Sequence, residues 1–342
     1  MSGTIIITGA AGGLGLALSE MVLQRPEQYH AVFTVRDEDA PNAKPLRDLI
    51  ESNSSKHRAR IVSLDLSKST SIRNFCTHIN SQVSAGELPP IRALVLNAAY
   101  IPNGNDRKYA EFVDGQDGAK IEMNFAVNYL ANVLLALLLL ESMEKLAGRI
   151  VYVSSIASDP AKGKVSSNEL LWDPEDLAFA RQLPAAGSEA RDGMRRYGMS
   201  KLCQIMFMQK LQKHLNSTPS LNKLRVIGVD PGVMVHPNLI KKHGNNSIII
   251  EKLIGPALMA YSKVAQYVWP NGTFRTVNKS ASDIVRAALD LDSQGESLKG
   301  AYLNGSKHEE PTAWAKDEGK QNEIWEFSLK LLNLNKSELG LC

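Results

Sequence analysis

Thr4-Ile5-Ile6-Ile7-Thr8-Gly9-Ala10-Ala11-Gly12-Gly13-Leu14-Gly15 lies at the start of the chain, and its reading decides the fold. Three consecutive isoleucines between threonines suit a strand buried on both faces, where β-branched side chains pack well on the pleated surface. The glycines then turn the chain into a helix that the apolar spacing carries to about Arg25. A glycine-rich turn from strand to helix lets backbone N–H groups approach a pyrophosphate closely, and the helix N-terminus adds partial positive charge. A Cβ there would obstruct the approach or forbid the backbone angles. A purely structural turn is the alternative; the loop's place on the first strand of a βα series weighs against it.

Further short apolar runs follow at 31–35, 60–64, 93–96, 150–153 and 224–229, with helical patterns between them. They are rich in β-branched residues without strict alternation, as expected of strands in a parallel sheet covered on both sides. The chain therefore reads as repeated βαβ units forming an α/β fold, a Rossmann-like doubly wound parallel sheet flanked by helices. Two stretches break the rhythm. Residues 158–196 turn polar, with Trp172 and Phe179 as isolated apolar points, far longer than the usual βα connection of about 2–6 residues. Residues 236–276 hold a pattern at 246–269 that reads as one or two amphipathic helices broken near Pro256. Beyond it, 282–291 reads as a helix after a Ser/Asp cap and 300–303 as a short last strand. No repeat or linker interrupts the chain, so 1–342 reads as a single domain with an insertion at 159–196 and an elaboration at 233–280.

Composition excludes several functions. A hydrophobic share of 44% with 22% charged residues is that of a globular protein. A net charge of +3 with both signs interspersed leaves no electrostatic footprint for nucleic acid, and the basic stretch 56–60 reads as a solvated turn. Cys76, Cys203 and Cys342 are too few and too scattered for a disulfide framework or a metal site, so no metal is expected. Such cysteine usage points to a reducing compartment. A strand beginning at Thr4 leaves no room for a signal peptide. No apolar run reaches the ~18–20 residues of a membrane span, and the richest, 133–140, belongs to a core helix. A cytoplasmic location is expected. Peripheral membrane contact through 246–269 is the weaker alternative, because that segment has few Lys or Arg.

Three further features carry chemistry. Tyr197 and Lys201 stand four residues apart on an expected helix and so share a face. A phenol keeps its proton to about pH 10, and a nearby ammonium lowers that pKa, which allows proton exchange near neutrality. A surface pair arising by chance is the alternative. Ser154-Ser155 ends the 150–153 run, and strand alternation lets only one of them face a cleft. Arg36 follows the second run, where an acid would accept from a ribose 2′-hydroxyl; a guanidinium there pairs with a 2′-phosphate instead. An exposed Arg36–Asp37 pair is its alternative.

Taken in order, these stations resemble the short-chain dehydrogenase/reductase family. The loop matches its Thr-Gly-x-x-x-Gly-x-Gly pattern at Thr8, Gly9, Gly13 and Gly15, with Gly12 where NADP-using relatives often have a basic residue. Asp65-Leu66 is similar to the family's adenine contact, and Asn97-Ala98-Ala99 to its Asn-Ala-Gly element, Ala99 replacing the glycine. Asn128, Ser154-Ser155, Tyr197-x-x-x-Lys201 and Pro231-Gly232 follow in family order, over about residues 4–235 with a looser echo at 282–303. The resemblance implies an oxidoreductase that binds NADP(H) in preference to NAD(H). Its cofactor contacts would be Thr8, Gly9, Gly12, Gly13, Leu14 and Gly15 in the loop, then Arg36, Asp65, Leu66, Asn97 and Ala98. Tyr197, Lys201, Pro231, Gly232 and Val233 would complete them. In the implied catalysis Tyr197 is the general acid, while Lys201 holds the ribose and depresses the tyrosine pKa. Ser155, the second of its pair, orients the carbonyl, and Asn128 anchors a water that relays protons to Lys201.

Ser155 and Tyr197 are 42 positions apart, much more than is usual for the family. Long spacings resemble the branch of carbonyl reductases, retinol dehydrogenases, protochlorophyllide reductases and 3-ketosteroid reductases. Trp172 and Phe179 would then wall the substrate cleft. The 233–280 segment, with Val233, Met234, Leu239, Ile248, Leu253, Leu258, Tyr261 and Trp269, would cover it, unless it simply packs on the sheet. A roomy apolar pocket implies a small-molecule partner, a bulky hydrophobic ketone or aldehyde such as a steroid, polyketide or terpenoid. Reduction of a C=C or C=N bond on the same scaffold is an alternative. So is a non-catalytic NADP-binding sensor or scaffold, against which the intact Ser155, Tyr197 and Lys201 argue. Relatives pair through the helices bearing Asn128 and Tyr197, and insertions keep some apart, so a homodimer and a monomer both stay open.

Overall fold

The computed structural model describes residues 3–53, 58–102, 110–115, 118–159, 172–181, 189–234, 260, 264, 267–291, 296–335, 339 and 341. The expected helices at 246–269, with Leu239, Ile248, Leu253, Leu258 and Tyr261, fall almost wholly outside these residues, as do much of the 159–196 insertion and Cys342.

Strands β1 (Thr4–Thr8), β2 (His30–Val35), β3 (Ala59–Ser63) and β4 (Ile91–Leu96) are followed by a separate hairpin of β5 (Phe112–Asp114) and β6 (Lys120–Glu122). Then come β7 (Arg149–Val153), β8 (Arg225–Asp230), β9 (Val233–Met234), β10 (Phe274–Arg275), β11 (Tyr302–Asn304) and β12 (Lys307–His308). The main sheet has the order β12-β11-β8-β7-β4-β1-β2-β3, parallel throughout except for β11 with β12. Its order reverses between β1 and β4, the switch point at which open α/β sheets bind ligands.

The isoleucine run shows why the sheet has two covered faces. Ile5, Ile6 and Ile7 are all fully buried, yet they belong to two different cores. Alternation along the strand sends Ile6 to one side and Ile5 and Ile7 to the other. On the second side lie α1 (Gly13–Leu23) and α2 (Lys44–Ser52). On the first lie α3 (Ser69–Ser84), α4 (Ala131–Leu138) and α6 (Glu189–Ser217), with α5 (Pro174–Phe179) beside them. Helix α4 continues from a π-helical turn at Phe125–Leu130, which carries Asn128.

Helix α7 (Val277–Leu289) packs on the second side and starts five residues before the expected 282–291. Thr276 Oγ1 accepts from Lys279 N at 3.2 Å and so caps the helix, while Asp283 pairs with Lys279 inside it. The C-terminal α8 (Ala313–Lys316) and α9 (Glu318–Leu331) have no counterpart in the sequence reading. Trp325 of α9 is fully buried, stacked on Phe207 with ring centroids 4.9 Å apart and on His214 at 4.6 Å. Tyr129 and Ser328 share a hydrogen bond at 2.7 Å, so α9 covers the outer face of both α6 and the π turn.

Helix α6 also shortens the expected 159–196 insertion, because the helix that carries Tyr197 already starts at Glu189. No helix among the described residues is long and apolar enough to cross a membrane.

If α9 is an integral part of the core, Trp325→Ala should cost about 3–5 kcal/mol, the usual range for emptying a buried aromatic site. The denaturant midpoint should fall accordingly, and a change under about 1 kcal/mol would mean α9 is a detachable cover.

Candidate active site

The C-terminal edge of the sheet borders a cleft of about 700 Å³, running from the glycine loop to Tyr197. Its floor is set by a reciprocal clasp between β1 and β4. Thr8 Oγ1 accepts from Asn97 N and Ala98 N, both at 3.0 Å, and Asn97 Nδ2 donates back to Thr8 O at 2.8 Å and Gly9 O at 3.3 Å. Thr8 is fully buried with its hydroxyl engaged in this way. That hydroxyl, expected to touch a cofactor, is here engaged in shaping the loop.

Gly9 has φ +66°, and a Cβ on it would lie 2.9 Å from Ala98 Cα. Gly15 is equally constrained, since its Cβ would lie 2.8 Å from Ala10 Cα. No side chain caps the N-terminus of α1 and no acid sits in its first turn, which leaves amide groups of that turn turned toward the cleft. Gly12, Gly13 and Leu14 also line it.

Beyond the loop, Arg36 is the first residue after β2, exposed and on the cleft wall. Among the described residues it has no ion-pair partner: Asp37, its alternative partner, instead accepts from Asp39 N at 3.0 Å. Asp65 and Leu66 line the same end. Asp65 Oδ1 accepts from Ser67 N at 3.0 Å and Ser67 Oγ at 2.6 Å. Burial works against its charge, but these bonds and Lys68 prevail and hold its carboxyl below the usual range. Asn42, which the sequence reading missed, joins Arg36 on the wall from a 3₁₀ turn at Pro41–Ala43.

At the opposite end stand Tyr197 and Lys201. Lys201 is 1% exposed, and its Nζ donates to Val153 O at 2.8 Å, 5.9 Å from the Tyr197 ring centroid. Ser155 ends β7 as the cap of a 3₁₀ turn, Oγ accepting from Ala157 N at 3.2 Å, and its hydroxyl also meets the Tyr197 phenol. Of the pair it is Ser154, buried and next to the Tyr302 hydroxyl, that borders the cleft, while Ser155 reaches the site through its contact with Tyr197.

The electrostatics differ from the expectation. Burial pushes the Tyr197 phenol up to about 12, with Asp230 adding to the rise and the Ser155 hydrogen bond opposing it. Burial likewise takes Lys201 down to about 7. Desolvation disfavours both charged forms and is the largest cause of each shift, so the phenol moves up and the amine down.

Three more expected residues serve other purposes. Asn128 is fully buried; Oδ1 accepts from Tyr100 N at 2.7 Å and Nδ2 donates to Tyr100 O at 2.9 Å. Its main-chain carbonyl already accepts from Gln204 Nε2 at 2.6 Å and Asn132 Nδ2 at 2.7 Å, which takes up both lone pairs a water anchor would need. Val233 N donates to Thr273 O at 2.7 Å as part of the β9–β10 pairing, so that amide is not open to a cofactor. Gly232, at φ +71°, packs against the Arg275 side chain, while Pro231 and Met234 line the cleft. Trp172 and Phe179 turn away from the cleft as well. Trp172 Nε1 donates to Glu323 at 2.6 Å, and the Phe179 ring meets Phe327 of α9 at 6.4 Å. Tyr100, Ile101, Met123 and Val127, which carried no signal in the sequence reading, supply the apolar wall. Among the described residues no cluster of His, Cys, Asp or Glu could hold a metal.

The chain is similar to known proteins. The family model described as short chain dehydrogenase matches residues 3–166. The short-chain dehydrogenase iccH of Talaromyces variabilis is 35% identical, over 98% of this chain and 97% of its own. The chloroplastic protochlorophyllide reductase of Pisum sativum is 25% identical, over 97% of this chain and 78% of its own. The NADPH-bound carbonyl reductase from chicken fatty liver superposes with a TM-score of 0.57 at 17% identity, over 90% of this chain and 98% of that one.

A lysine titrating near pH 7 predicts a pH signature. If the ammonium form is needed, kcat/KM for the free enzyme should fall with a one-proton limb as pH rises through about 7. Lys201→Arg stays charged, so its residual activity should lack that limb; an unchanged limb would assign the titration to another group.

Proposed function

The chain belongs to the short-chain dehydrogenase/reductase family, a family of oxidoreductases, and from that premise we propose that it reduces a bulky hydrophobic ketone or aldehyde with NADPH. The observation that carries the proposal is the pairing of a buried phenol with a serine hydroxyl at one end of a cleft whose other end is built of uncapped backbone amides. The residues fit a dinucleotide: the turn packs so closely on Ala98 and Ala10 that Gly9 and Gly15 have no room for a Cβ, the amides of α1 carry no side-chain cap, and among the described residues Arg36 has no ion-pair partner at the place where a 2′-phosphate would be read. When bound, the nicotinamide would supply the hydride for reduction or accept it in the reverse direction.

The side chains then divide the remaining work. Tyr197, whose pKa keeps its proton at neutral pH, donates it to the carbonyl oxygen. Ser155 donates a hydrogen bond to the same oxygen and fixes its orientation. Lys201 faces the ribose and brings positive charge toward the developing alkoxide. Gly12, Gly13, Leu14, Asp65, Leu66, Asn97, Ala98 and Pro231 hold the remainder of the cofactor. Tyr100, Ile101, Met123, Val127 and Met234 favour an apolar substrate at the Tyr197 end. The burial of α6 under α9 supports a monomer, because the outer face of that helix is already covered.

Tyr197→Phe should lower kcat by roughly 10²–10⁴-fold, the usual worth of a positioned acid, with NADPH affinity retained. NADPH absorbance with a panel of hydrophobic carbonyl compounds measures it, and product analysis separates C=O from C=C reduction. Near-wild-type turnover would remove Tyr197 from this role, while cofactor binding without any turnover in the unmodified protein would favour a sensor. Arg36→Ala should weaken NADPH by roughly 10–100-fold, as expected for a charge-assisted bond of about 1.5–3 kcal/mol, and leave NADH almost unaffected. Equal losses for both cofactors would mean that the 2′-phosphate is read elsewhere.

A further inference from the structure

Two buried links tie α6 to the π-helical turn at Phe125–Leu130, and they bracket Tyr197. After it in sequence, Ser200 Oγ donates to Tyr197 O at 2.7 Å and accepts from Asn128 Nδ2 at 3.1 Å. Before it, Arg196 Nε donates to Glu122 Oε1 at 3.2 Å. Glu122 ends the β5–β6 hairpin, is 1% exposed, and has both oxygens engaged. Oε1 also accepts from Asn124 Nδ2 at 2.7 Å, and Oε2 accepts from Phe125 N at 2.9 Å, the first amide of the π turn. One carboxylate thus holds both the start of the Asn128 turn and the residue next to the phenol.

Arg196 is 8% exposed and is shared with Asp192, one turn earlier on α6. Asp192 is in turn held by Arg195 at 2.8 Å. The described part of the insertion closes the group from outside, with Asp176 and Leu177 of α5 lining a small cavity together with Glu122 and Arg196. Burying such charges costs several kcal/mol per ion before any pairing, and an apolar pair of similar volume often serves stability as well or better. Directional bonds, by contrast, fix how far a helix turns about its own axis.

We propose that Glu122, acting through Arg196, is a positioning residue that sets the rotation of α6 and so the placement of the Tyr197 phenol. The inference rests on the assignment of Tyr197 as proton donor. It also accounts for the insertion, whose α5 buttresses this pair rather than walling the substrate.

The test uses the full chain and three variants beside Tyr197→Phe: two single substitutions and their combination. Glu122→Gln keeps an acceptor for Phe125 N but gives up the charge. Arg196→Met keeps the bulk but gives up the donors, and leaves Asp192 its bond to Arg195. In each, kcat should fall roughly 10–100-fold, the scale of a slightly misplaced reacting group, with NADPH affinity at the wild-type value. Each single variant should also lower Tm: Arg196→Met leaves the buried Glu122 without its cation, and Glu122→Gln turns an amide N–H toward the donors of Arg196 and Asn124. Combined, the two should restore Tm while kcat stays low. Recovery of kcat together with Tm, or single variants with wild-type kcat while Tyr197→Phe is inactive, would overturn the positioning role and leave the proposed function standing. An active Tyr197→Phe would instead remove the premise, and the positioning role with it.

Discussion

The hydrogen bond from Lys201 Nζ to Val153 O, 2.8 Å long and fully buried, is the tie on which the site depends. A buried amine must find an acceptor, because leaving one unpaired costs more than the bond itself contributes. Val153 is the last residue of β7, and the next amide, Ser154 N, is bound to Val229 O of β8 at 2.8 Å. The acceptor is therefore fixed by the sheet, and α6 cannot slide along it without orphaning the amine. One turn earlier on the same helix Tyr197 is carried to the end of β7, where Ser155 waits on the turn that follows the strand. Fold and chemistry share one register.

The same burial that anchors the lysine decides the protonation of the site. Spacing alone suggests an ammonium lowering a phenol, as opposite partners do in water. In a closed wall both groups lose hydration, and the neutral forms gain: the phenol keeps its proton and the lysine titrates near neutrality. On the proposed function, such a site holds a proton ready for donation to a carbonyl oxygen. Asp230, beneath the cleft, strengthens the effect by disfavouring a phenolate. On that same proposal, a bound dinucleotide would place its phosphates at the far end of the cleft, near Arg36 and the amides of α1.

Much of this was legible in the residues. The strand runs were readable because a sheet covered on both faces writes unbroken β-branched segments, as Ile5 to Ile7 do. Gly9 and Gly15 were readable because the close turn leaves no room for a Cβ, Gly9 against Ala98 after β4 and Gly15 against the loop's own backbone at Ala10. What escaped depended on partners distant in sequence. An aromatic residue in a polar loop carries no mark of the surface it will meet, and Trp172 and Phe179 found α9 rather than substrate. The pattern of α9 itself shows its burial only beside Phe207 and His214. Family position singled out Asn128 and Val233 as site residues. It could not show that Gln204, Asn132 and Thr273 already occupy the backbone groups in question. The start of α7 shifted for a local reason, since Thr276 offered a cap before Ser282 and Asp283 could.

The layer between α6 and the π turn shows how the fold divides its polar groups. A wholly apolar interface there would pack without penalty, yet Glu122, Asn124, Asn128, Asn132, Ser200 and Gln204 are all buried in it. Gln204 Oε1 and Asn132 Oδ1 have no donor among the described residues, a cost that apolar side chains would not carry. A π turn sets this arrangement up, because its wider hydrogen-bond spacing leaves a carbonyl such as that of Asn128 turned toward side chains of the neighbouring helix. Hydrophobic contact holds two helices together but tolerates small rotations; a set of directional bonds does not. The phosphate end of the cleft, made of backbone, needs only the glycines to keep its shape. The phenol end is made of side chains on a helix, and there precision has to come from what lies behind it.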